Sequence, residues 1–276
     1  MNCKLLSEND FQALFKTFNA AFSSNFVKLQ PSEEEFKYRL NQKIRVENDI
    51  SGGAFDGDEM LGFILHASNS YQGIPTAYNG GTGVLPGFRN QRVAEELYEF
   101  LIPKIQSKFL ARILLEVVEV NEYAIKLYEK IGFSIKRKML CFKQTHQIDF
   151  LKAELPTEEG AISEVDFTFC DFQPSFIDNE THLRDGDEKV LLCKIENELA
   201  GFVVFQPHLG RISQLAVSRK FRGDKVGKSL IFNVQKHTDK KLTIMNIPED
   251  QENFHLFLKR CGFENEVNQF EMELII

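Results

Sequence analysis

The sequence predicts an α/β fold with a mixed sheet, present twice along a chain of 276 residues. Three observations lead there. The chain repeats itself at a spacing near 130 residues, and amphipathic stretches alternate with short apolar runs. One of those runs, Ile113-Leu114-Leu115-Glu116-Val117-Val118, has the apolar and β-branched density of a buried strand.

The repeat is the strongest of the three, because internal similarity decides an architecture before any single element does. Val84 to Leu97 aligns with Val217 to Leu230, 133 residues later. Coinciding pairs are Phe88 with Phe221, Arg89 with Arg222, Arg92 with Lys225, Val93 with Val226, Ala94 with Gly227 and Leu97 with Leu230. Two further pairs keep the same order: Gly62-Phe63 with Gly201-Phe202, each after a polar turn, and Gly132-Phe133 with Gly262-Phe263. The last pair reads as a helix end, a glycine C-cap and a return strand. The expectation is two domains, 1–145 and 146–276, with a linker near 144–160.

Within the first copy, residues 10–22 and 32–44 pattern as amphipathic helices. Residues 60–66 read as a strand after a tight turn, and 77–84 as a second. Val93, Ala94, Leu97, Tyr98, Leu101, Ile102 and Ile105 recur at helical spacing, and Pro103 marks a place for that helix to kink or end. Residues 113–118 are the buried strand, 121–131 a helix with Ala124, Leu127 and Ile131 on one face, and 137–143 a final strand. The second copy keeps the later elements after a shorter, less regular beginning.

Composition narrows the function. A hydrophobic fraction of 43% and a charged fraction of 26% suit a globular protein, and the 26 phenylalanines, spread along the chain, read as core filler. No stretch approaches the ~18 apolar residues of a membrane span, and the opening residues carry no secretory pattern. Five cysteines without a CxxC pair read as reduced thiols, so a cytoplasmic protein without metal is expected. Residues 1–145 carry a net charge of +1 and residues 146–276 one of −8. The acidic half argues against nucleic acid as a partner and is compatible with a cationic acceptor.

A strand, a turn and a helix beginning at Arg92-Val93-Ala94 form a candidate anion site, since helix N-termini present unpaired N–H groups, and Arg89 and Arg92 flank it. Two solvated arginines before an ordinary helix are the plainer alternative. Gly223-Asp224-Lys225-Val226-Gly227-Lys228-Ser229 is one residue short of a nucleotide-binding P-loop, whose first glycine would fall at Arg222, and that reading is rejected.

The stretch from Val84 through Pro86, Phe88, Arg89, Asn90, Val93, Ala94 and Leu97 resembles a central motif of the GCN5-related N-acetyltransferase (GNAT) superfamily. So does the stretch from Leu115-Glu116-Val117 through Asn121, Ala124, Leu127, Tyr128, Gly132 and Phe133. The likeness is nearest to ribosomal-protein alanine acetyltransferases over residues 55–143, looser over 187–275, and the duplication resembles tandem GNAT proteins. One departure is plain: the family loop usually has glycine where Arg92 and Lys225 stand.

The resemblance implies acetyl-coenzyme A as co-substrate and a primary amine of a small molecule or peptide as acceptor. It implies that Thr82, Gly83 and Val84 pair with the pantetheine arm and offer a backbone N–H to the thioester carbonyl. It further implies that the loop Arg89, Asn90, Gln91, Arg92, Val93 and Ala94 holds the pyrophosphate, and that Asn121 bonds the pantetheine. Glu116 matches the family's general base and Tyr128 its general acid, whose nearest plain alternatives are a solvated strand residue and a core aromatic. Glu119 is a second candidate base. In the second copy Asn246 and Leu258 fall at the places of Glu116 and Tyr128, so that copy is expected to be catalytically degenerate. The alternative function is a CoA-binding regulatory or scaffold protein without turnover.

Overall fold

The computed structural model describes residues 1–23, 30–147 and 155–276. In chain order the first copy contains β1 (Asn2–Leu5), α1 (Phe11–Phe22), α2 (Glu33–Tyr38), β2 (Gly52–Asp56), β3 (Glu59–Tyr71), β4 (Ile74–Val84), α3 (Val93–Ser107), β5 (Arg112–Val118), α4 (Glu122–Ile131) and β6 (Ser134–Gln144). The second contains β7 (Glu158–Gly160), α5 (Glu180–Arg184), β8 (Lys189–Ile195), β9 (Glu198–Gln206), β10 (Arg211–Val217), α6 (Val226–Gln235), β11 (Thr243–Pro248), α7 (Glu252–Arg260) and β12 (Phe263–Ile275).

By packing, the chain forms two compact units: Met1–Lys136 with Phe270–Ile276, and Arg137–Gln269. The first unit's strand order is β1-β2-β3-β4-β5-β12, and the second's is β12-β6-β11-β10-β9-β8-β7. Unit composition therefore cuts across the repeat. The last residues of the second copy complete the first unit's sheet beside β5, and most of β6 lies beside β11 in the second unit. Of the expected linker, residues 148–154 lie outside those described.

Local chemistry explains the element ends. Ser32 caps α2 by accepting from the Glu35 N–H while Glu35 bonds back to the Ser32 N–H, a reciprocal capping box. The expected helix over 32–44 changes winding midway: α2 gives way to a wider π turn over Arg39–Ile44, which buries Leu40 and Ile44 together. Asn121 caps α4 through Oδ1, and Gly132 ends it at φ 113°, a conformation that costs a side-chain-bearing residue about 1–2 kcal/mol. The strands at 60–66 and 77–84 are longer than their apolar cores, because β3 and β4 form one hairpin from Gly62↔Val84 to Tyr71↔Ile74.

Pro103 lies inside α3, and the helix runs on to Ser107. Proline forfeits one backbone bond there, but Leu97, Leu101 and Ile105 are fully buried, and burial of each is worth about 1.5–3 kcal/mol. Packing outweighs the missing bond. The phenylalanines divide similarly: Phe36, Phe63, Phe176 and Phe202 are core, whereas Phe109 is 88% exposed.

The same close approach recurs in both units. A Cβ on Gly62 would stand 2.9 Å from the Gly83 carbonyl oxygen and 2.9 Å from Val93 Cγ1. On Gly201 it would stand 2.8 Å from the Ala216 carbonyl oxygen and 2.8 Å from Val226 Cγ1. Each glycine thus lets the first valine of the following helix, α3 or α6, sit directly on the sheet.

Candidate active site

In the first unit β4 and β5 run parallel and pair from Thr76↔Arg112 to Asn79↔Leu115. Beyond Asn79 they part, although β4 continues to Val84 and β5 to Val118. The Leu85 N–H donates to Leu61 on the β3 side, so strand alternation aims the N–H groups of Thr82 and Val84 at the opening on the β5 side. Gly83 sits between them, where a Cβ would strike the Phe63 ring at 2.6 Å. The second unit repeats this opening: β10 and β11 pair at Arg211↔Thr243 and Ile212↔Ile244, then separate.

The turn into α3 also has a twin. Arg92 and Lys225, the N-cap residues of α3 and α6, both take the left-handed conformation, at φ 61° and 66°. Asn90 at φ 61° corresponds to Gly223 at φ 98°. This is why glycine suits the Arg92 position: the backbone needs positive φ there.

The guanidinium of Arg92 turns back along the helix to Glu99 at 2.9 Å and Glu95 at 3.5 Å, and Arg89 Nη2 donates to the Ala21 carbonyl at 2.9 Å. Gln91 Nε2 donates to the Gly87 carbonyl, while Val93 and Ala94 are buried. The side chains of Arg89, Gln91 and Arg92 in the expected phosphate loop are thus tied to neighbours, leaving its backbone as the candidate anion-binding feature. That suits a pyrophosphate bound by main-chain N–H groups at a helix start.

Glu116 lies half-buried on β5 just past the last paired residue, and the Tyr78 hydroxyl on β4 donates to its Oε2 at 2.5 Å. Glu119 falls in the turn beyond β5, not on the strand. Tyr128 on α4 is 8% exposed, and its ring meets Tyr98 and Phe133 edge-on at 6.3 and 5.6 Å. Burial raises its pKa above the ordinary value, and the nearby Thr82 hydroxyl opposes part of the rise. The base candidate is thus on β5 just past its paired stretch, and the acid candidate is on the next helix, buried against Tyr98 and Phe133.

Asn121 stands apart from that pair as the cap of α4, with Oδ1 accepting from the Ala124 N–H at 3.3 Å. Three residues that sequence reasoning missed complete the cluster: Tyr78, Asn79 and Tyr98. Asn79 Nδ2 lies 2.5 Å from Tyr98 Oη and 2.7 Å from Thr82 Oγ1. Tyr78 and Asn79 are signalled only by a polar step inside an apolar strand, and Tyr98 only by its place on the apolar face of a helix.

In the second unit Asn246 accepts a weak bond from Cys141 Sγ at 3.7 Å, and Leu258 is fully buried. A cavity of about 430 Å³ opens beside the start of α6, lined among others by Phe221, Phe257, Arg222, Lys225 and Lys228.

The acetyltransferase (GNAT) family matches residues 11–133, and an acetyltransferase (GNAT) domain matches residues 157–276. No curated protein matches the chain in sequence. Solved structures share the fold across both copies. A tandem GNAT protein from the clavulanic acid biosynthesis pathway is similar at 13% identity and a TM-score of 0.74, covering 99% of this chain and 98% of that one. A GCN5-related N-acetyltransferase from Sphaerobacter thermophilus is similar at 13% identity and 0.73, covering 99% and 95%. A putative acetyltransferase from Pyrococcus horikoshii is similar at 15% identity and 0.67, covering 100% and 89%.

Proposed function

The chain belongs to the GNAT acetyltransferase superfamily in tandem arrangement, and we propose that it transfers an acetyl group from acetyl-CoA to a primary amine of a small molecule or peptide. The copy in residues 1–145 carries the chemistry in this reading, and the copy in 146–276 is catalytically degenerate. The observation that supports it is Glu116 just past the paired stretch of β5, its carboxylate accepting from the Tyr78 phenol, with Tyr128 buried on the next helix against Tyr98.

When bound, acetyl-CoA supplies an activated acetyl thioester. The N–H groups of Thr82 and Val84 bind along the opening as an added strand would, and one of them donates to the carbonyl oxygen. The turn 89–94 receives the pyrophosphate on its main-chain N–H groups. An amine with a pKa near ~10 arrives protonated, and Glu116 takes that proton directly or through one water. Tyr78 holds the carboxylate in place for this. Tyr128 keeps its phenol proton at neutral pH and delivers it to the departing thiolate. In the second copy Asn246 and Leu258 offer neither transfer, so any acetyl-CoA bound there keeps its acetyl group. Five cysteines present as thiols rather than disulfides agree with a cytoplasmic setting, and among the described residues no helix is long and apolar enough to cross a membrane.

The test is thiol release from acetyl-CoA against a panel of amines, with the Tyr128→Phe variant beside the parent. The expected result is amine-dependent release that falls by roughly 10²-fold or more in the variant while acetyl-CoA binding is kept. Binding without release from any amine favours the scaffold alternative, and full activity in the variant removes Tyr128 from the acid role.

A further inference from the structure

A helix ends on carbonyls that its own backbone leaves unpaired. At the end of α1, Ser23 Oγ donates to the Ala20 carbonyl at 2.9 Å, and Arg89 Nη2, 68 residues beyond its acceptor, donates to the Ala21 carbonyl at 2.9 Å. The last turn of α1 carries no basic residue of its own. A cation there meets the negative end of the helix dipole, so Arg89 supplies both a donor and a charge that the helix lacks. The repeat makes a similar tie in the second unit. Arg222, the counterpart of Arg89, donates to Asp171 Oδ1 at 3.0 Å, 51 residues earlier, and to the Val217 carbonyl at 3.1 Å. In both copies the arginine before the helix-start turn reaches back to an earlier segment of its own copy.

Strand alternation fixes which part of the site α1 borders. Phe63 and Leu65 on β3 cluster with Phe18 of α1 and Phe36 of α2. Ala67, two residues on, shares that face, and so does Tyr78 opposite it on β4. Glu116 accepts from Tyr78 and stands one same-face step beyond Leu114, the residue paired with Tyr78. The carboxylate read as the general base therefore lies on the face of the sheet that α1 covers, and an amine reaches it from that side. The last turn of α1 comes close at Gly83, where a Cβ would stand 3.2 Å from Ala21 Cβ. Gly83 sits between Thr82 and Val84, whose N–H groups are read as donors to the thioester arm.

We propose that Arg89 is a positioning residue for the amine acceptor and not a ligand of the pyrophosphate. By capping α1 it holds the last turn of that helix against Gly83, where the turn is the wall past which the amine reaches Glu116. This rests on the reading of Glu116 as the general base and of residues 82–84 as the seat of the thioester. The pyrophosphate is left to the main-chain N–H groups of the turn before α3.

Calorimetric titration with coenzyme A separates the two roles of the guanidinium. In Arg89→Met, which keeps the apolar stem, the Kd for CoA is expected to stay within about twofold of the parent, whereas a lost contact to pyrophosphate would weaken it about tenfold or more. Kinetics with the amines of the panel that the parent acetylates should show the KM for amine raised about tenfold with the KM for acetyl-CoA unchanged. Arg89→Lys keeps a donor and the charge and should recover most of that loss. An unchanged KM for amine in Arg89→Met, or a tenfold loss of CoA affinity, overturns the proposal.

Amide hydrogen exchange reads the cap without turnover. The amides of residues 19–23 should exchange about fivefold faster in Arg89→Met than in the parent and regain protection in Arg89→Lys. Unchanged exchange there overturns the cap even where transfer is impaired. Faster exchange with unchanged CoA affinity, in a protein that acetylates no amine, leaves the cap standing and removes the acetyl-transfer reading instead.

Discussion

Tyr78 and Glu116 meet across two parallel strands, the phenol of one donating to Oε2 of the other at 2.5 Å. The pairing register places Tyr78 opposite Leu114, so the bond reaches one same-face step further along β5, to the first residue on that face beyond the paired stretch. It ties the two strands at the point where they begin to separate, and it fixes the carboxylate that faces the opening.

This relationship predicts separable kinetic effects. Glu116→Gln should lower kcat by about 10²–10⁴-fold at neutral pH, the usual range for a lost general base. Tyr78→Phe should lower kcat by a smaller factor, about tenfold, with the KM for acetyl-CoA unchanged, because the base remains and only its orientation loosens. Steady-state kinetics at saturating amine decide it. An equal loss in both variants would make the phenol itself a participant.

Arg92 and Lys225 predict a gain in stability from simplification. Both hold positive φ, and the Arg92 guanidinium is 61% exposed, bonded to a carboxylate that is 66% exposed, an ion pair worth little in water. Arg92→Gly and Lys225→Gly should each stabilise by about 1 kcal/mol, a rise in Tm of about 2–4 °C by calorimetry. Lower melting temperatures in both would show that the side chains contribute more than the backbone strain costs.

His66 predicts a pH-dependent stability. It is fully buried, with Nδ1 bonded to the Ile50 carbonyl at 2.8 Å, and burial pushes its pKa down to about 4 from an ordinary 6.5. The native state therefore resists a proton that the unfolded chain takes up below 6.5. The contribution is complete above pH 6.5 and is lost as pH falls from 6.5 towards 4, up to roughly 3 kcal/mol. Urea melts at pH 7.5 and 4.5 should show the fall, and His66→Gln should flatten that part of the profile.

Arg112 anchors the final strand of the first unit. It is 5% exposed and donates to Thr76 Oγ1, the Tyr71 carbonyl and Glu273 Oε1 at 2.9, 2.7 and 2.8 Å. Arg112→Met should cost about 3–5 kcal/mol, because it leaves buried acceptors behind, and adding Glu273→Met should recover a large part. Denaturant midpoints of the single and double variants measure both steps.

The paired glycines test whether the two units share one packing rule. Gly62→Ala and Gly201→Ala each push a methyl against a backbone carbonyl and the first valine of a helix, and each should destabilise by about 1–3 kcal/mol. A neutral result at either site would mean that its helix can shift outward freely.

By itself the sequence determined what depends on near neighbours. The repeat, the strand–turn–helix at 84–97, the Asn121 cap and the Gly132 stop are all written within a few residues of where they act, since capping bonds and positive φ are local properties. It also placed Glu116 and Tyr128 as a pair twelve residues apart, one on a strand and one on the next helix. Tertiary structure alone decided what those two touch. Tyr78 reaches Glu116 across 38 residues of chain, and Asn79 reaches Tyr98 across 19, through a strand register and a helix rotation that no local pattern specifies. The same holds for the last strands, whose apolar faces read alike in both copies. Only the packed sheets show that Phe270–Ile276 closes the first unit while most of β6 lies in the second, because pairing depends on which edge is open once the rest has folded.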